Sequence, residues 1–78
     1  MTREERRIAV AALRAGPCAN HDQIVIAVAL NLRLETKHVE AVLHRLRVRE
    51  VLDCVSTSAM DEDVFSVRYE KGAAWTEE

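Results

Sequence analysis

The residues in this chain best able to hold a metal or attack a substrate are its three histidines and two cysteines. Cys18 and His21 stand at a ligand-like spacing, and Cys54 could in principle join them. A structural zinc site takes four ligands, however, and no second close pair follows. His38 and His44 are expected to face outward, and the two thiols to be free and sheltered, Cys54 against a sheet. Neither cysteine has a His-Asp partner set, and no glycine-rich loop is present to cradle a phosphate. The expectation is therefore no metal, no cofactor and no enzyme.

The charged residues carry more information. Arg3, Arg6, Arg7 and Arg14 form one basic set, with Arg3, Arg7 and Arg14 on roughly one side of a helix. Such a set can reach phosphates, pair across a dimer, or make local ion pairs of little energetic weight. Lys37, Glu40, His44, Arg45 and Arg47 fall off the apolar stripe of a later helix, towards solvent. As a solvated face, Lys37 with Glu40 and Glu40 with His44 are ordinary neighbours one turn apart. Asp61-Glu62-Asp63 places three acids in one loop. That loop is repelled by a phosphate backbone; it suits a basic protein surface, or serves as a solubilising loop.

Length and composition bound the structure that positions these groups. At 78 residues there is room for one domain, burying ~60–65% of the surface of its unfolded chain. A cleft walled by several layers will not fit. Half the residues are hydrophobic (49%), with only 2 Gly and 1 Pro, which excludes disorder and low-complexity architecture. Two cysteines are too few for a disulfide-dense scaffold. No apolar run approaches the ~18 residues of a membrane span, and residues 2–7 lead into no signal-peptide core. A small cytoplasmic domain is expected. A net charge of −2 also speaks against a generic basic nucleic-acid coat.

Thr2 and Glu5 have the spacing of a capping box, opening a helix over residues 3–15. Gly16 suits a left-handed residue past its end, and Pro17 blocks continuation. Asn20 and Gln23 repeat the capping pattern before residues 21–31. The centre of that segment, residues 24–30, is apolar throughout and β-branched enough for a buried strand; the cap and the length favour helix. Such a helix implies burial on most sides or a second partner surface, and so a homodimer. Leu32-Arg33-Leu34 reads as a turn. Glu35 or Thr36 can cap a third helix over residues 36–49, whose buried stripe is Val39, Val42, Leu43 and Leu46. The period then falls to two: residues 54–57 and 64–69 form strands of a hairpin, with Phe65, Val67 and Tyr69 on one face and residues 58–63 as its loop. The domain covers residues 1–72. Residues 73–78, including Trp75, form a tail expected to be mobile unless tied back onto the second helix or across a dimer.

The middle of the chain resembles the winged helix-turn-helix family. Many members carry an aliphatic-Ala pair three residues before a Leu-Gly-Leu turn, matched here by Val28-Ala29 and Leu32-Arg33-Leu34. A polar cap, a Val, an aliphatic-Leu pair and a further Leu follow in the family. Here residues 35–38, Val39, Val42-Leu43 and Leu46 match them without a gap. Glu50-Val51-Leu52 stands where the family has Gly and two aliphatics leading into the wing. The resemblance covers roughly residues 20–69. It departs at Arg33 and Glu50, which replace glycines at positions that often take positive φ, where a bulky residue costs ~1 kcal/mol. The implied fold is α+β: a three-helix core followed by a C-terminal β-hairpin wing.

What the resemblance implies for function is double-stranded DNA binding through the third helix by a small transcriptional regulator. Carried over by position, the reading residues are Thr36, Lys37, His38, Glu40, Ala41, His44 and Arg45; the contacts are expected from Thr36, Lys37, His38, His44 and Arg45, with Arg33 beside them. Lys37 and Arg45 suit phosphates or guanine edges, while Thr36 and the histidines donate hydrogen bonds. Glu35 and Glu40 oppose this. The alternative is a protein-interaction module of the inhibitor type, using Asp61, Glu62, Asp63 and Trp75 against a basic partner. Charge divides accordingly: residues 1–52 hold nine basic and six acidic groups (+3), residues 53–78 two and seven (−5).

Overall fold

In the computed structural model, which describes residues 1–58 and 65–76, three helices precede a two-stranded antiparallel hairpin. The helices are α1 (Arg3–Ala15), α2 (His21–Leu32) and α3 (Thr36–Val48); the strands are β1 (Leu52–Ser58) and β2 (Phe65–Lys71). This is the expected α+β arrangement with winged-helix topology. The strands run longer than read from the sequence, because pairing continues from Cys54↔Tyr69 through Asp53↔Glu70 to Leu52↔Lys71.

α1 starts on the predicted capping box: Glu5 N donates to Thr2 Oγ1 at 3.1 Å, and Thr2 N to Glu5 Oε1 at 2.8 Å. Its end corrects the expectation for Gly16, whose φ of −91° is not left-handed. Glycine is needed there for room: a Cβ would sit 2.9 Å from Arg68 Cβ on β2. The chain is pressed against β2 because Cys18 and Val67 exchange backbone hydrogen bonds of 3.0 and 2.8 Å. This one-residue bridge, which the sequence did not suggest, holds the α1–α2 connection to the edge of β2 away from β1.

α2 is a helix despite its β-branched centre. Asn20 Oδ1 accepts from Gln23 N at 3.0 Å, and Gln23 reaches back to Ala19 N at 3.1 Å, one residue short of a reciprocal box. Ile24, Val25, Val28 and Ala29 are buried, whereas Ile26 and Leu30 are 48% and 75% exposed. The apolar surplus read from the sequence thus lies on the surface of this chain.

Arg33 and Glu50 carry the backbone turns expected of glycine, with φ of 56° and 61°. After α2, Leu34 N donates to Ala29 O at 2.9 Å; after α3, Val51 N donates to Leu46 O at 2.9 Å. Both bonds close the last helical turn across the left-handed residue, satisfying carbonyls that have no partner within the helix. α3 itself is capped by Glu35, without a side-chain hydrogen bond.

The core is one cluster. Ile8, Ile24, Val28, Val39, Val42, Leu43, Leu46 and Leu52 are fully buried, and Tyr69 closes it from the sheet. α1 packs on α2, α3 and β2, and α3 packs on β1. Residues 72–76 are tied down as well. Gly72 N donates to Val51 O and Ala74 N to Glu50 O, both at 2.9 Å, while Arg6 Nη1 donates to Thr76 O at 3.0 Å. Trp75 lies under Arg6 and Lys71, 5.3 and 5.6 Å from its ring centre, so it meets α1 where the sequence suggested the second helix or a dimer partner. Among the described residues, no helix is long and apolar enough to cross a membrane.

Candidate nucleic-acid interface

Burial of Val39, Val42, Leu43 and Leu46 fixes which way the rest of α3 points. At 3.6 residues per turn, Lys37, Ala41, His44 and Val48 form a crest opposite that stripe. Glu40 and Arg47 lie on one flank of the crest; His38, Arg45 and Arg49 lie on the other. All of these residues are exposed.

On the first flank, α3 faces the start of α2. His21, Lys37, Glu40, Ala41, His44 and Arg47 line a hollow of about 450 Å³. His21 Nε2 is 2.5 Å from the Tyr69 hydroxyl, one hydrogen bond whose direction follows the imidazole tautomer. Burial pushes the Tyr69 phenol up to about 12; Cys54, its cross-strand partner, adds to the rise, and the Arg47 guanidinium works against it. Tyr69 therefore keeps its proton throughout the ordinary pH range. A second hollow, of about 360 Å³, continues along His44, Arg47 and Val48 to Leu52, Asp53 and Cys54 on β1. The crest thus runs between α2 and the hairpin with open surface beside it.

The second flank turns towards the start of α1. His38 Nε2 is 2.5 Å from Glu4 Oε1, and Arg49 Nη1 is 3.3 Å from Glu5 Oε2. The Glu5 carboxyl is held below the usual carboxylate range, chiefly by the Thr2 backbone N–H; burial opposes this, while the Thr2 hydroxyl, Arg49 and Arg45 reinforce it.

Of the residues expected to contact DNA, Lys37 and His44 share the crest, and Thr36 begins the helix at its exposed end. Arg33 is exposed in the left-handed turn just before it. His38 and Arg45 are separated from that group, facing the carboxylates of α1. Asp61, Glu62 and Asp63 lie outside the described residues. Arg47 and His21 also line this surface and were not in the predicted set. Arg47 follows His44 by three positions, a spacing that could have singled it out; His21 reaches the site only through helix packing. Cys18 and His21 do not converge: Cys18 Sγ donates to Ala15 O at 3.3 Å while His21 turns to Tyr69. Among the described residues, no group of three or more His, Cys, Asp or Glu is placed to hold a metal ion. No protein-family model matches the chain, and no match to it is found among curated proteins or solved structures.

Proposed function

We propose that the chain binds double-stranded DNA through the crest of α3 and acts as a small transcriptional regulator. The observation that supports this most is the clear projection of that crest: four positions over three turns face solvent, with cationic Lys37 and Arg47 and the hydrogen-bonding His44 on or beside them. A helix of this width fits the major groove, ~12 Å across, and reads base edges from its first turns. In this reading Lys37 and Arg47 contact phosphate or guanine, and His44 and Thr36 donate to base or phosphate oxygens. Arg33 touches the backbone from the preceding turn. Arg45 and His38 stand back from the groove. Glu40 is the exception on the flank, repelling phosphate unless it accepts from a cytosine amino group. The exposed Ile26 and Leu30 make a homodimer part of the proposal, with Leu30→Glu expected to return it to monomer in sedimentation.

Fluorescence anisotropy with a labelled duplex at low salt tests the assignment. Lys37→Ala and Arg47→Ala should each weaken binding by about 1 kcal/mol or more, roughly fivefold, while His38→Ala leaves it nearly unchanged. Equal losses at His38 and Arg47 would contradict the orientation assigned to α3. Complete absence of duplex binding would favour the protein-binding reading of the acidic residues 61–63.

A further inference from the structure

A second surface lies across α1 from α3. Arg3, Arg6, Arg7, Val10, Ala11 and Arg14 of α1, with Asn31 and Leu32 at the end of α2, line an open groove of about 380 Å³. Its floor is aliphatic, formed by Val10, Ala11 and Leu32, and its rim is four guanidinium groups. Of the acids of α1, Glu4 lies beside Arg3 and Arg7 and bonds His38, while Glu5 is held by Thr2 and by Arg49 at the end of α3. Among the described residues, the side chains of Arg3, Arg7 and Arg14 make no hydrogen bond or ion pair, whereas Arg6 holds Thr76 O and covers Trp75. Three exposed guanidinium groups thus flank an apolar floor, and among the described residues the carboxylate beside Arg3 and Arg7, that of Glu4, is already engaged by His38.

We propose that this groove docks an acidic amphipathic helix of a protein partner. Its apolar face lies on Val10, Ala11 and Leu32, and its flanking carboxylates pair with Arg3, Arg7 and Arg14. Arginine suits this role, since its planar fork binds carboxylates through two parallel hydrogen bonds. The volume is at the small end of the ~300–1,000 Å³ typical of ligand sites, and its openness to solvent suits the face of a helix with anchors one turn apart. The aliphatic floor favours such a segment over a nucleic-acid backbone, which offers phosphates and sugars but no apolar ridge to cover it. Because α1 stands between groove and crest, a partner here leaves α3 exposed, and the proposal holds whether or not α3 binds DNA.

The probe is a labelled helical peptide of about four turns, leucines along one face and glutamates flanking them, with a lysine-for-glutamate twin as control. Anisotropy should show saturable binding of the acidic peptide and none of the basic one. Arg7→Gln with Arg14→Gln should weaken the acidic peptide about tenfold or more, and Val10→Asp should do so alone. Lys37→Ala should leave it unchanged. These positions are at the surface, and unchanged circular dichroism checks that each variant is folded. Equal affinity of the double variant and the parent chain would overturn the proposal. So would loss of duplex binding by the double variant without loss of peptide binding, which makes the groove a phosphate site. Loss of self-association by the double variant, with no peptide binding by the parent chain, would assign the groove to a second copy and overturn it too.

Discussion

Tyr69 joins three elements through a single hydroxyl: it lies on β2, meets His21 of α2, and has the Arg47 guanidinium of α3 beside it. Tyr69→Phe should cost about 1 kcal/mol in chemical denaturation through the lost hydrogen bond. It should also change the alkaline limb. A phenol raised from 10.0 to about 12 stabilises the fold fully below pH 10 and loses that contribution as pH rises towards 12; Tyr69→Phe should abolish this loss. Glu5 has the opposite sign. Its lowered pKa supplies stability above the usual carboxylate range, lost as pH falls through the folded value, so Glu5→Gln should flatten the acid limb of the stability curve. A Thr2→Ala change removes the other half of the box and should cost about 1 kcal/mol by the same denaturation measurement. At this scale the sequence was partly legible. Thr2 with Glu5, and the solvent-facing Lys37 and His44, follow from local spacing alone. The His21–Tyr69 contact joins residues 48 positions apart, and His38 turns to Glu4 across 34, separations that no periodicity encodes.

The helices and hairpin were readable because each carries its own signal: caps at Thr2 and Asn20, aliphatics one turn apart in α3, alternation in β2. The turns between them were legible in position but not in every cause. Arg33 and Glu50 adopt the left-handed backbone that their place in the helix-turn pattern implied. Arg33→Gly and Glu50→Gly should each raise stability by about 0.5–1 kcal/mol, the relieved strain being partly offset by a freer unfolded chain. Gly16 shows the converse. Its local sequence suggested a left-handed cap, whereas the space taken by Arg68, 52 positions away, explains it. Gly72 is tighter still, since a Cβ there would lie 2.1 Å from Glu50 O. Gly72→Ala should therefore destabilise the fold more than Gly16→Ala, as read from their unfolding midpoints. The bridge from Cys18 to Val67 belongs with these cases, because one residue has no period to detect.

The whole molecule presents two unlike faces on either side of α1. One is the α3 crest, mixed in charge and open along the hairpin; the other is the arginine-rimmed groove with its aliphatic floor. Both faces are built from residues 1–52, which hold the basic excess, while the acidic excess lies in residues 53–78, a division that the net charge of −2 conceals. The architecture could be read from the chain because a three-helix core needs few, regularly spaced aliphatics. The partner could not, because surface charge acquires a direction only once the helices are packed. The most direct measurement is the affinity for a labelled duplex across a salt series. If Lys37, Arg47 and Arg33 contact phosphates, binding at ~50 mM salt should fall with a log–log slope of about −3, becoming shallower by about 1 in Arg47→Ala. A chain that binds no duplex at ~50 mM salt, or whose slope Arg47→Ala leaves unchanged, would contradict DNA recognition through the α3 crest.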